Sequence, residues 1–186
     1  MNFQSFHSYR TDVETALRGV PVHEVADAVE ILKKARMSLS TVYIMGNGGS
    51  AATAGHFAND LVKMCGIRAI SLSAMLPLVT AYGNDNGYEN IFSAALDQFL
   101  IPHDVVIGIS CSGESPNVVN GILKAQAHGN PAHLVDTIGL IGDNLDCHIA
   151  QLAPDALISV PFRDIRVQED CHMVICHAIA GVLSRE

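Results

Sequence analysis

Short apolar runs recur along the chain at residues 42–45, 67–72, 105–109, 137–141 and 156–160. Between them, at about 51–64, 88–99, 117–127 and 165–184, apolar residues return at helical spacing. Near-continuous apolar strands alternating with helices predict βαβ units, a parallel sheet covered on both faces. Upstream, Val13, Leu17, Val20, Val25, Val29 and Leu32 keep a roughly helical period that Pro21 interrupts. Residues 1–40 therefore read as one or two helices with one apolar face. Their length before the first strand suggests a helical arm for packing between subunits. The stretch "HGNPAHLVD" breaks both periods, so 129–133 is expected to be an inserted loop. No repeat, low-complexity tract or internal boundary divides the chain, which predicts one domain over residues 1–186.

Composition narrows the partners. The 186 residues carry a net charge of −8, and 49% are hydrophobic, with only 5% aromatic and no Trp. An acidic chain argues against nucleic acid or an anionic membrane as its main partner. It leaves room for a small anion held by backbone N–H groups. The five cysteines are scattered and form no CxxC pair. That argues against structural zinc and a disulfide framework, and for a reducing compartment. The opening "MNFQSFHSYRTDVE" has no basic stretch followed by an apolar one, and no run of about 18 apolar residues exists. A soluble cytoplasmic protein is expected.

Two strand-to-helix turns carry most of the candidate chemistry. In Gly46-Asn47-Gly48-Gly49-Ser50 the glycines allow backbone to approach a ligand closely, although a tight turn would use them equally well. The spacing is neither a dinucleotide fingerprint nor a P-loop. In Ser110-Cys111-Ser112-Gly113-Glu114-Ser115-Pro116, Ser115 reads as a helix N-cap and Pro116 as the first helical position. Three hydroxyls beside free helix N–H groups suit a phosphate, and an ordinary capped turn is the alternative. Glu114 would repel the same anion. Both turns fall at the carboxyl edge of the sheet, where open α/β proteins bind ligands.

His56 and Asp60 stand four apart on one predicted helix, about 40° apart in projection, as metal ligands, an acid/base pair or a surface ion pair would. In the last helix Glu169 and His177 project within about 80° of each other, two turns apart, while Gln168 and His172 share another face. Of the two histidines, one could be a hydrogen-bonded core residue and the other a surface one. Asn84-Asp85-Asn86-Gly87 reads as a turn in which Asp85 could also bind a sugar hydroxyl or take a proton.

In this order, "GNGGSAATAGHFAND", "AYGNDNGYENIF", "GISCSGESPNVV" and "QEDCHMVICHAI" resemble the sugar isomerase (SIS) domain, and within it the phosphoheptose isomerase branch. The resemblance covers about residues 41–184. It implies a five-stranded parallel sheet between helices, a flavodoxin-like three-layer sandwich, and a homotetramer with active sites between subunits. The implied reaction converts sedoheptulose 7-phosphate into D-glycero-D-manno-heptose 7-phosphate by proton transfer through an enediol. By the same resemblance Ser110, Cys111, Ser112 and Ser115 hold the phosphate. Asn47, Gly48, Gly49 and Ser50 contact sugar and phosphate, and Asp85 and Glu169 belong to the substrate pocket. Asp60 and His177 match the acid/base pair, and His56, Asp60, Glu169 and His177 match a zinc site.

Three positions depart from the family pattern. Asp60 is one methylene shorter than the family's glutamate. Glu169 stands where the family has glutamine, with Gln168 displaced by one. Glu114 replaces a loop residue that is commonly asparagine. These departures keep a second expectation open, a non-catalytic SIS protein that binds a phosphosugar or a replication initiator.

Overall fold

Side chains that alternate between two opposite faces of five strands set the architecture. The computed structural model describes residues 3–128 and 135–185, so the expected loop at 129–133 lies outside the described residues. The elements run α1 (Phe3–Gly19), α2 (Val22–Ser38), β1 (Thr41–Gly46), α3 (Gly48–Cys65), β2 (Arg68–Ser71), α4 (Leu76–Asp85) and α5 (Ile91–Phe99). They continue as β3 (Val105–Ser110), α6 (Pro116–Gln126), β4 (Asp136–Ile141), α7 (His148–Gln151), β5 (Ala156–Ser159) and α8 (Ile165–Leu183). The strands form one parallel sheet in the order β2-β1-β3-β4-β5. This is the flavodoxin-like order, and the expected three-layer sandwich is observed.

Along β1, Val42 and Ile44 face one core while Tyr43 and Met45 face the other. The first core packs the sheet against α1, α2, α3 and α8 through Leu32, Phe57, Leu61, Ile175 and Ile179. The second packs it against α5, α6 and α7 through Phe92, Leu96, Ile122 and Ile149. Burying each such side chain contributes roughly 1.5–3 kcal/mol. The helical arm is not a free appendage, because Ala28, Val29, Leu32 and Ala35 of α2 lie inside the first core. Among the described residues no helix is long and apolar enough to cross a membrane.

Two helices were not legible in the sequence. In α4 no residue is buried, so its apolar positions follow no core-facing pattern. It ends at Asp85, so the expected turn begins only at Asn86-Gly87, where Gly87 has φ +86°. In α7 a single turn is held by its surroundings. The stretch expected as one helix over 88–99 opens with a 3-10 turn, Tyr88–Asn90, before α5.

Asp104 fixes where β1 begins. It is fully buried, and its carboxylate accepts the backbone N–H of Thr41 (2.8 Å) and of Ile101 (3.0 Å). Replacing it by Ala would strand the buried Thr41 N–H and release the Ile101 N–H. Asp104→Ala is expected to lower unfolding free energy by roughly 2–4 kcal/mol, measured by urea denaturation with an unchanged m-value.

Candidate active site

The sheet grows outward in opposite directions from β1 and β3, and the gap at their carboxyl ends is a topological switch point. The amino ends of α3 and α6 converge there. Asn47, the N-cap of α3 with extended backbone, makes no capping bond with its side chain. Its amide instead forms a reciprocal pair with the buried Asn117 of α6, Nδ2 to Oδ1 at 2.8 Å in both directions. The Tyr88 hydroxyl donates to the same Asn47 Oδ1 at 2.9 Å. Nothing in the sequence marked Asn117 or Tyr88 as site residues.

The serine loop closes the other side. Ser110 Oγ donates to Ser115 Oγ (3.1 Å) and lies 3.4 Å from Ser112 Oγ, which accepts the backbone N–H of Glu114. Gly113 turns the loop at φ +66°, and a Cβ there would lie 2.7 Å from Cys147 Cβ, so only glycine fits. Glu114, expected to repel an anion, is turned aside. Its carboxylate accepts the backbone N–H of His148 at the start of α7 and pairs with the His148 ring Nδ1. Between the two helix ends lies a cavity of about 170 Å³ lined by Asn47, Ser50, Ile109, Ser110, Cys111, Ser112, Ser115, Ile165 and Glu169. Among the described residues no lysine or arginine lines it. Its anion-binding capacity rests on hydroxyls and on helix N–H groups, including those of Gly48, Gly49 and Ser50 at the start of α3.

A second cluster stands further along α3, against α8. His56 Nε2 of α3 is 2.9 Å from His177 Nε2 of α8, with the rings edge to face. Asp60 Oδ2 lies 3.4 Å from His56 Nε2 and 3.7 Å from His177 Nε2, while Asp60 Oδ1 accepts from the Asn59 amide. Asp60 is recessed at 7% exposure, whereas both imidazoles are about half exposed. Two imidazoles and a carboxylate whose ligand atoms all lie within 4.8 Å fit a three-ligand zinc site with an open position.

Two expected site residues are placed elsewhere. Glu169 is not in this group. It stands eight residues before His177 on α8, about 12 Å along the axis, and lines the cavity between the loops. Asp85 sits exposed at the end of α4, accepts from the Asn84 amide and lies outside that cavity.

The remaining polar residues of α8 are structural. Gln168 is buried and donates to the Phe162 carbonyl at 2.5 Å. His172 is fully buried and donates from Nε2 to the Ile141 carbonyl at 3.0 Å, which leaves Nδ1 as an acceptor facing the Cys111 thiol at 3.9 Å. Burial pulls its pKa down to about 4, partly offset by the bond to Ile141. The Cys111 thiol is pushed up to about 11 by burial and then by the charge of Glu169, with the Ser50 hydroxyl opposing.

Comparison with known proteins places this arrangement. The SIS domain family matches residues 8–137. The chain is 40% identical over 168 residues to a phosphoheptose isomerase of Geotalea daltonii, covering 87% of this chain and 83% of that one. It is 34% identical to the phosphoheptose isomerase of Aquifex aeolicus, covering 94% and 92%. Among solved structures, the phosphoheptose isomerase of Neisseria gonorrhoeae superposes with a TM-score of 0.83 at 26% identity, covering 97% and 96%. That of Francisella tularensis gives 0.89 at 21% identity over the whole of both chains, a likeness of fold.

The buried imidazole has a measurable consequence. His172 stays neutral in the folded protein down to about pH 4, while an unfolded histidine takes up its proton near pH 6.5. The unfolded state therefore binds more protons between these values, and stability falls as pH is lowered through that window. Wild type should lose on the order of 2–3 kcal/mol more than His172→Gln between pH 6.5 and 4. Denaturation midpoints measured across that range check it.

Proposed function

The chain belongs to the SIS domain family, and we propose that it is a phosphoheptose isomerase, converting sedoheptulose 7-phosphate into D-glycero-D-manno-heptose 7-phosphate. The observation that carries this reading is the pairing of two functional ends on one α3–α8 seam. At one end the serine loop and the amino ends of α3 and α6 offer donors without cations. At the other stand His56, Asp60 and His177, groups able to move a proton.

The mechanism follows from that division. Ser110, Ser112 and Ser115 hold the phosphate, with the N–H groups at the start of α3, and this fixed end orients the sugar chain along the seam. Asp60 takes the proton from the carbon beside the carbonyl. Its Oδ1 is steadied by Asn59, which leaves Oδ2 for that task. His177 returns a proton to the neighbouring carbon or oxygen, completing the enediol interconversion. A zinc ion held by His56, Asp60 and His177 would polarise the substrate carbonyl. The shorter Asp60 still brings Oδ2 to within 3.4 Å of His56 Nε2 and 3.7 Å of His177 Nε2, which supports its place in this group.

The half-exposed rings of His56 and His177 leave the site open toward a second copy of the chain, in keeping with a homotetramer. The five unpaired cysteines suit the cytoplasm.

Purified protein supplied with sedoheptulose 7-phosphate, with and without added Zn²⁺, should turn it over. Asp60→Asn and His177→Gln should each lower kcat about 10²–10⁴-fold with little change in KM. Full activity in His177→Gln would remove it from the mechanism. Ser115→Ala should instead raise KM several-fold, read from the same progress curves.

A further inference from the structure

The anion pocket contains a negative charge of its own. Glu169 reaches from α8 to the first turn of α3, where its carboxylate packs against Gly49. A Cβ built on Gly49 would lie 2.7 Å from Oε2 and closer still to Oε1. A bare backbone at position 49 is what lets the carboxylate come so near. The same carboxylate lines the cavity formed by the three serines, and its charge helps hold the Cys111 thiol protonated. Among the described residues no lysine or arginine lines the cavity to neutralise it. The carboxylate therefore stands beside the first turn of α3 before any ligand arrives, on the side of the helix that a dipole makes favourable to an anion.

A phosphate entering a cavity of about 170 Å³ meets this charge at close range, and the two like charges repel. We propose that Glu169 sets the phosphate affinity of this pocket: its carboxylate stands beside the first turn of α3, and a phosphate-bearing ligand binds against its charge. This inference rests on the phosphate-binding role given to the same pocket above. The repulsion raises the threshold for binding any phosphate. Free inorganic phosphate, with no other contacts to offer, is held poorly. A phosphosugar meets the threshold because its hydroxyl chain continues along α3 and α8 toward His56 and His177, and those contacts supply the discrimination.

Titration calorimetry with inorganic phosphate on the full-length protein tests this, using wild type, Glu169→Gln and Glu169→Ala. Glu169→Gln keeps the shape and removes the charge, and Glu169→Ala keeps a good helix former should the amide misplace itself. Both variants should bind inorganic phosphate at least tenfold more tightly than wild type. In the absence of ligand, both should melt at slightly lower temperature, because the α3 dipole loses its anion. Equal affinity in all three proteins would overturn the proposal and leave the isomerase reading intact, since turnover is assayed separately. Phosphate binding to none of the three would overturn it together with the phosphate role of the serine loop.

Discussion

Between β1 and β3 the sheet reverses its direction of growth, and the gap this opens is bridged by one pair of side-chain amides. Asn47 and Asn117 each give and accept a hydrogen bond, so the amino ends of α3 and α6 are fastened to each other. Every feature of the anion pocket depends on that fastening. The serine loop leads into α6, the glycine loop leads into α3, and the cavity exists only while the two ends keep their separation. Tyr88 braces the pair from the 3-10 turn before α5. A partly satisfied amide pair in this place would be costly, and the buried Asn117 has its whole amide engaged, with Oδ1 also accepting the backbone N–H of Val118.

An acidic protein that binds a phosphate has to solve an electrostatic problem without lysine or arginine at the site. Here the solution is directional. Glu114, in the middle of the serine loop, is drawn away to cap α7 and pair with His148, so its charge serves the scaffold. The serine hydroxyls of the loop line the cavity. Among the described residues Glu169 is the one carboxylate that lines it, beside Gly49 in the first turn of α3.

The sheet, its parallel sense and the helices that cover it were legible because each core-facing element repeats its apolar residues at its own period. The serine loop and the His56–Asp60 pair were legible for the same reason, since local spacing controls local geometry. What escaped was non-local or uncovered. Helix α4 buries nothing, so no periodicity betrays it. The reach of Glu114 to His148, and of Glu169 to Gly49, joins positions far apart in the chain. No spacing rule reports such contacts. His172 shows the reverse case: of the two histidines in α8, the one four residues after Gln168 is the core residue, and its bond to Ile141 explains why.

The Cys111 thiol gives this pocket a chemical character of its own. Burial and the charge of Glu169 raise its pKa to about 11 and keep it protonated at neutral pH, and it is the thiolate that reacts with peroxides, disulfides and alkylating agents. The other four cysteines are buried. A partly exposed sulfur held beside a carboxylate and a neutral imidazole is thereby a poor nucleophile.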